Sequence, residues 1–329
     1  MRPSIVAMNA AHLPPLILGL PAMGVPASFY ARFADALGAA SGAVVEFADL
    51  PGQGERPERA RDGADFGYRE IVEEELPDWV ARRRAEHPAR PILLLGHSLG
   101  GQLALLASAT LAARIDGLVL IAAGTAHWRV WPAGQRRRAW ATVQVIRAVS
   151  ALWPWYPGHL LGFGGDQPRR LMRDWGHNAM TGRYQLGGST RDVAEIERAL
   201  HAVMLPVLLL GVRDDPVAPN GAREELIAKL PCARVTRALI DGVRSDSPWR
   251  RHFSWARAPT EAVQAVAAWL AAMPARRNAS SNTDPVSARG ETHVLVPSRS
   301  TPGAPTSSIR STRRSSSVHR VSCSTRCSG

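Results

Sequence analysis

The apolar run Pro91-Ile92-Leu93-Leu94-Leu95 leads straight into Gly96-His97-Ser98-Leu99-Gly100, and Gly101-Gln102-Leu103-Ala104-Leu105-Leu106-Ala107 follows. The first segment reads as a strand buried on both faces, the last as a small-residue helix lying on a sheet. A strand that becomes a helix within five residues must turn sharply. Glycines two before and two after the serine leave room for the crossing, and the serine takes strained backbone angles that expose its hydroxyl. A Gly-x-Ser-x-Gly pattern is weak by itself; the flanking strand and helix make it specific. Ser98 is therefore the candidate nucleophile, on an α/β scaffold.

The rest of the chain repeats the alternation. Short apolar runs at 16–18, 43–47, 92–95, 118–121, 207–210 and 234–236 alternate with helical patterns near 28–39, 68–87, 98–113, 222–230 and 259–272. That order predicts a mostly parallel sheet flanked by helices. The interval 125–190 breaks it and holds six of the ten tryptophans, which predicts an inserted helical cap over the strand ends. The expected organisation is a core of 14–124 and 191–273, the cap at 125–190, and a disordered Ser/Arg-rich tail at 274–329.

Charge needs to be divided before it is interpreted. Nine arginines against Asp284 and Glu291 give the tail +7 of the formal +12, so the basicity is no nucleic-acid footprint on the folded part. Nucleic acid is not an expected partner. Of the three cysteines only Cys232 lies outside the tail, which leaves neither a disulfide framework nor a metal cluster in the body. The chain lacks eighteen consecutive apolar residues, and its first twenty residues, with Arg2 as their one charge and Pro14-Pro15 within them, make a poor signal peptide. A cytoplasmic protein with no transmembrane segment is expected.

A serine nucleophile needs a base, and the base needs an orienting acid, in the chain order serine, acid, histidine for a nucleophile on such an elbow. After the run 205–210 comes Gly211-Val212-Arg213-Asp214-Asp215-Pro216-Val217-Ala218-Pro219. Counting from Gly211 favours Asp214; counting back from the proline-flanked helix start favours Asp215, which is preferred, with Asp214 the alternative acid. His252 is the one histidine between this loop and the tail and is the candidate base, expected on a loop. His97 is expected to be a packing and hydrogen-bonding neighbour. The oxyanion donors are expected to be the N–H groups of Leu99 and of Met23, in Leu20-Pro21-Ala22-Met23-Gly24, where proline cannot donate.

These residues, with Pro21-Ala22-Met23-Gly24-Val25-Pro26, Asp49-Leu50-Pro51-Gly52-Gln53-Gly54, Leu161-Gly162-Phe163-Gly164, Met172-Arg173-Asp174-Trp175 and the segment 252–259, make the chain resemble the α/β-hydrolases. More narrowly it resembles the predicted bacterial hydrolases grouped with serine-aminopeptidase-like and lysophospholipase-like members, over roughly 15–270. The resemblance implies an α/β-hydrolase fold with a cap, an Asp-x-x-Gly-x-Gly structural turn, and a Ser98-His252-Asp215 triad cleaving an ester, thioester or amide through an acyl-enzyme, with neither metal nor organic cofactor. The expected substrate is a small, apolar acyl compound. An acyltransferase of the same fold, or a truncated inactive hydrolase-like protein, would show the same motifs. Three departures stand out. The family's opening strand hairpin is missing, which predicts an exposed edge at 44–47 open to dimerisation; Arg251 stands where glycine often precedes the histidine; and the tail is foreign to the family.

Overall fold

The computed structural model describes residues 13–273 except 244 and 246; residues 1–12 and the tail 274–329, with the disorder expected of it, lie outside the described residues. The strands in chain order are β1 (Leu16–Leu20), β2 (Val44–Phe47), β3 (Ile92–His97), β4 (Gly117–Ile121), β5 (Trp155–Pro157), β6 (Asp166–Pro168), β7 (Pro206–Val212) and β8 (Arg234–Ile240). Six of them form one sheet in the order β2-β1-β3-β4-β7-β8 with every pairing parallel. β1, β3 and β4 are buried along their whole length, as near-continuous Leu/Ile/Val runs require when helices cover both faces. Among the described residues β2 is an edge of this sheet, with Val44 exposed.

The helices are α1 (Ala31–Ser41), α2 (Leu76–Glu86), α3 (Leu99–Leu111), α4 (Arg136–Leu152), α5 (Gly158–Leu161), α6 (Arg169–Thr181), α7 (Val193–His201), α8 (Asn220–Ile227), α9 (Pro248–Arg257) and α10 (Thr260–Ala272). The two-residue period of the strands divides the core. Leu16, Leu18, Leu94 and Leu120 pack with Leu103 and Leu106 of α3 and with Leu76 and Val80 of α2. Ile17, Leu93, Leu95 and Ile121 face Phe33 and Leu37 of α1, Trp255 of α9 and Val266 of α10. Each such buried side chain contributes about 1.5–3 kcal/mol relative to exposure, so both faces hold the sheet.

Several elements differ from the sequence expectation. The helix foreseen at 68–87 begins as a wider π-helical segment, Glu70–Glu75, before α2. Pro77 has no N–H to give to the carbonyl one turn back, and the ladder shifts register around it. The interval 125–190, expected as a helical cap and called the cap below, is not purely helical: β5 and β6 pair antiparallel between α4 and α6. α7 and α9 have no counterpart among the helical patterns of the sequence, and His252 sits within α9 rather than on a loop.

The chain leaves β1 toward β2 on one side and returns through β3 on the other. The crevice beyond the carboxyl ends of β1 and β3 is thus a switch point, where open α/β sheets bind ligands.

Candidate active site

Ser98 follows β3 directly and precedes α3, with φ 52° and ψ −115°. Positive φ on a residue with a side chain is strained by about 1–3 kcal/mol and persists only where its surroundings enforce it. They do so here through close backbone approach. A Cβ on Gly96 would lie 2.3 Å from the Gly100 carbonyl oxygen, and one on Gly100 would lie 2.2 Å from that of Leu20. The Ser98 N–H donates to the Ile121 carbonyl at 3.2 Å, and the serine carbonyl accepts from Gly101 and Gln102. The elbow is therefore anchored to the end of β4 and pressed against the end of β1.

The 214–219 loop follows β7. Asp215 is buried; its Oδ1 accepts from the N–H groups of Val217 (2.9 Å) and Ala218 (3.2 Å), and its Oδ2 lies 2.7 Å from His252 Nδ1. Arg223 of α8 donates to the carbonyls of Val212 (3.1 Å) and Ala218 (3.2 Å), bracing the loop from behind. Asp214 adopts φ 53° and points away, its exposed carboxylate 3.5 Å from Arg251. The structure brings Asp215, not the alternative Asp214, to the histidine.

His252 presents a buried Nε2 with no hydrogen-bond partner among the described residues. It shares one cavity of about 320 Å³ with Ser98, Leu99, Met23, Gln102, Val217, and the cap residues Gly158, Phe163 and Trp175. The N–H groups of Met23 and Leu99 are spent on no backbone acceptor among the described residues. The cavity lining holds no Asp, Glu, Lys or Arg, while Phe163, Trp175, Trp249 and Phe253 supply aromatic walls. Among the described residues no group of three His, Cys, Asp or Glu is arranged to hold a metal ion. Nor is any described helix long and apolar enough to cross a membrane.

The family model described as serine aminopeptidase, S33, matches residues 15–244. The chain belongs to this family. It is an α/β-hydrolase, and solved structures agree on the fold. The monoacylglycerol lipase of Paleococcus ferrophilus superposes with TM-score 0.51 at 16% identity, covering 80% of this chain and 97% of the lipase. A soluble variant of the monoglyceride lipase of Saccharomyces cerevisiae gives 0.56 at 16%, covering 79% and 87%. A structure from a study of LipS and LipT, two metagenome-derived lipolytic enzymes, gives 0.51 at 15%, covering 79% and 95%. No curated protein matches at a significant level.

Within this S33-family hydrolase, sequence reasoning missed a buried pair behind the site. Tyr30 Oη accepts the Ala22 N–H at 3.0 Å and stands 2.8 Å from His97 Nδ1. Burial, and next the neighbouring His252, hold His97 well below the ordinary imidazole range, so it stays neutral. Its ring lies 4.8 Å from that of His252. The aromatic at position 30 carried no sequence signal, because its partners are 8 and 67 residues away.

The motif residues of the hydrolase take physical roles. Asp49 accepts from the Ala27 N–H (2.6 Å) and the Glu55 N–H (2.9 Å), tying the Asp-x-x-Gly-x-Gly turn to the loop that carries Met23. Asp174 of α6 is buried and accepts from the N–H groups of Tyr68 (2.9 Å) and Gly187 (3.1 Å) and from Gln185 (3.2 Å), latching the cap to the core. Burial pushes its carboxyl up to about 6 against those donors. Its neighbour Trp175 turns into the cavity.

Proposed function

We infer that the protein cleaves the ester of an apolar acyl group through an acyl-enzyme, with Ser98 as nucleophile, His252 as base and Asp215 as orienting acid. The observation that carries this reading is the meeting, in one uncharged aromatic cavity, of a serine on a strained elbow with a histidine whose other nitrogen is held by a buried carboxylate. In the first half-reaction Ser98 Oγ bonds to the carbonyl carbon while its proton passes to His252 Nε2. The carbonyl oxygen becomes an anion, met by the N–H groups of Met23 and Leu99. His252 then gives the proton to the leaving oxygen as the ester C–O bond breaks. Water repeats the sequence on the acyl-serine and releases the acid. Asp215 keeps the imidazole in the tautomer that leaves Nε2 basic, and stabilises the imidazolium that forms.

The lipases among the structural neighbours support an ester of an apolar acid, and so does a lining without a charged side chain. A charged acyl group would be desolvated there with nothing to pair it. Fluorophosphonate labelling tests the assignment: the wild-type chain is expected to label and Ser98→Ala not to. Labelling that persists in Ser98→Ala would overturn it. Chromogenic esters of increasing chain length, beside a thioester and an aminoacyl anilide, then define the leaving group and the acyl size.

A further inference from the structure

Half of the large apolar side chains exposed by the described residues lie in one stretch of the cap: Trp140, Val145, Leu152, Trp153, Leu160 and Leu161. Leu152 is 83% exposed and Leu160 75%. α4 buries Val143, Ile146 and Ser150 on one side, while Ala141, Val145, Ala148 and Leu152 recur along the other. That outer face is apolar and exposed.

The same segment is strongly cationic. Residues 125–190 contain nine arginines, no lysine, and the two carboxylates Asp166 and Asp174. Neither carboxylate is offered to a partner, since Asp174 is buried in its latch and Asp166 contacts His159. Among the described residues only Arg170 of the nine pairs with a carboxylate, Glu70, whereas Arg56, Arg69, Arg83, Arg191 and Arg237 of the core each face one. Arg136, Arg137 and Arg138 occupy the first turn of α4, where the helix dipole disfavours cations. Their placement opposes local helix stability and suits an external anion.

We propose that the cap docks the protein on an anionic lipid surface through the outer face of α4 and the Leu160-Leu161 turn. Guanidinium groups meet lipid phosphates, Trp140 and Trp153 lie at headgroup depth, and Val145, Leu152 and the two leucines enter the acyl boundary. An acidic protein would answer the arginines but leave those side chains against a polar face. Gly158 and His159, beside the turn, line the cavity, so docking sets its rim against the surface. The proposal rests on the cap's exposure and charge and stands independently of the Ser98 chemistry.

Co-sedimentation of the full-length chain with vesicles of phosphatidylcholine, with and without about one-third phosphatidylglycerol, tests it. Binding is expected only to the anionic vesicles, and to weaken with salt. Val145→Glu with Leu152→Glu, and separately Arg136, Arg137 and Arg138 each→Gln, are expected to reduce it by about tenfold or more. Turnover of a short soluble ester and the melting temperature serve as controls for folding, since none of these residues touches the cavity. Binding unchanged in both variants but lost on removing 274–329 would assign the effect to the tail and overturn the proposal. So would equal binding to neutral vesicles, no binding at all, or a dimer in solution that Val145→Glu with Leu152→Glu dissociates without vesicle binding, which would assign the face to a second copy.

Discussion

Asp215 holds His252 through a 2.7 Å contact between Oδ2 and Nδ1, with both side chains almost wholly buried. The adjacent Asp214 is 77% exposed and faces Arg251. Asp215→Asn presents an amide where the ring nitrogen needs an acceptor and is expected to lower kcat by about 10³–10⁴. Asp214→Asn is expected to change it by less than about threefold, since exposed pairs contribute little. Steady-state kinetics of the two variants on one ester decides the point; the reverse ranking would move the acid to Asp214.

Tyr30 joins the loop before Met23 to the residue before Ser98. Tyr30→Phe leaves the Ala22 N–H and His97 Nδ1 buried without partners, a cost of about 1–3 kcal/mol in stability. A role confined to stability would leave kcat of the folded fraction unchanged. The expected result is a fall in kcat of about tenfold with KM nearly constant, because the loop that carries the Met23 N–H is no longer pinned.

Gly100→Ala places a Cβ 2.2 Å from the Leu20 carbonyl and 2.5 Å from that of Pro21, both backbone atoms that cannot rotate away. Denaturant unfolding is expected to show a loss above about 3 kcal/mol. A variant as stable as the parent would mean that the elbow is not pressed against β1.

The Asp174 carboxyl titrates near 6 because burial outweighs its three donors. Its folded pKa lies above the unfolded one, so the folded chain binds the proton more tightly. The contribution to stability is full below about pH 4 and is lost as pH rises through about 6, up to about 3 kcal/mol in all. Asp174→Asn removes the titration. Melting temperatures between pH 4 and 7 are expected to converge on, or overtake, those of the parent as pH rises, and parallel curves would refute the assignment.

What the sequence disclosed follows the range of the interactions involved. The elbow turn, the strand runs and the preference for Asp215 over Asp214 are local, since each is set by residues within about five positions; the turn and the strands are present, and Asp215 is the aspartate of that loop that contacts His252. α7 does carry a local signal, since Asp192 and Glu195 form a capping box. α9 was hidden because Pro248 and the mixed run 249–257 lack an apolar stripe of their own; Trp255 is buried by α1, more than 200 residues earlier. The β5–β6 ribbon rests on three residues per strand, too few for a period to register. The Tyr30–His97 pair and the Asp174 latch depend on partners far along the chain, which no local pattern records.

The loop that carries Met23 touches the cap at two glycines. A Cβ on Gly24 would fall 2.4 Å from the Gly164 carbonyl oxygen, and one on Gly164 would fall 2.5 Å from Met23 Sδ. The cap and the loop of Met23 therefore meet backbone to backbone at Gly24 and Gly164. A side chain added at Gly24 or Gly164 pushes on the backbone that carries the Met23 N–H, so on the proposed reading a change in the cavity's acyl selectivity has to spare this seam and work from the Trp175 and Trp249 walls instead.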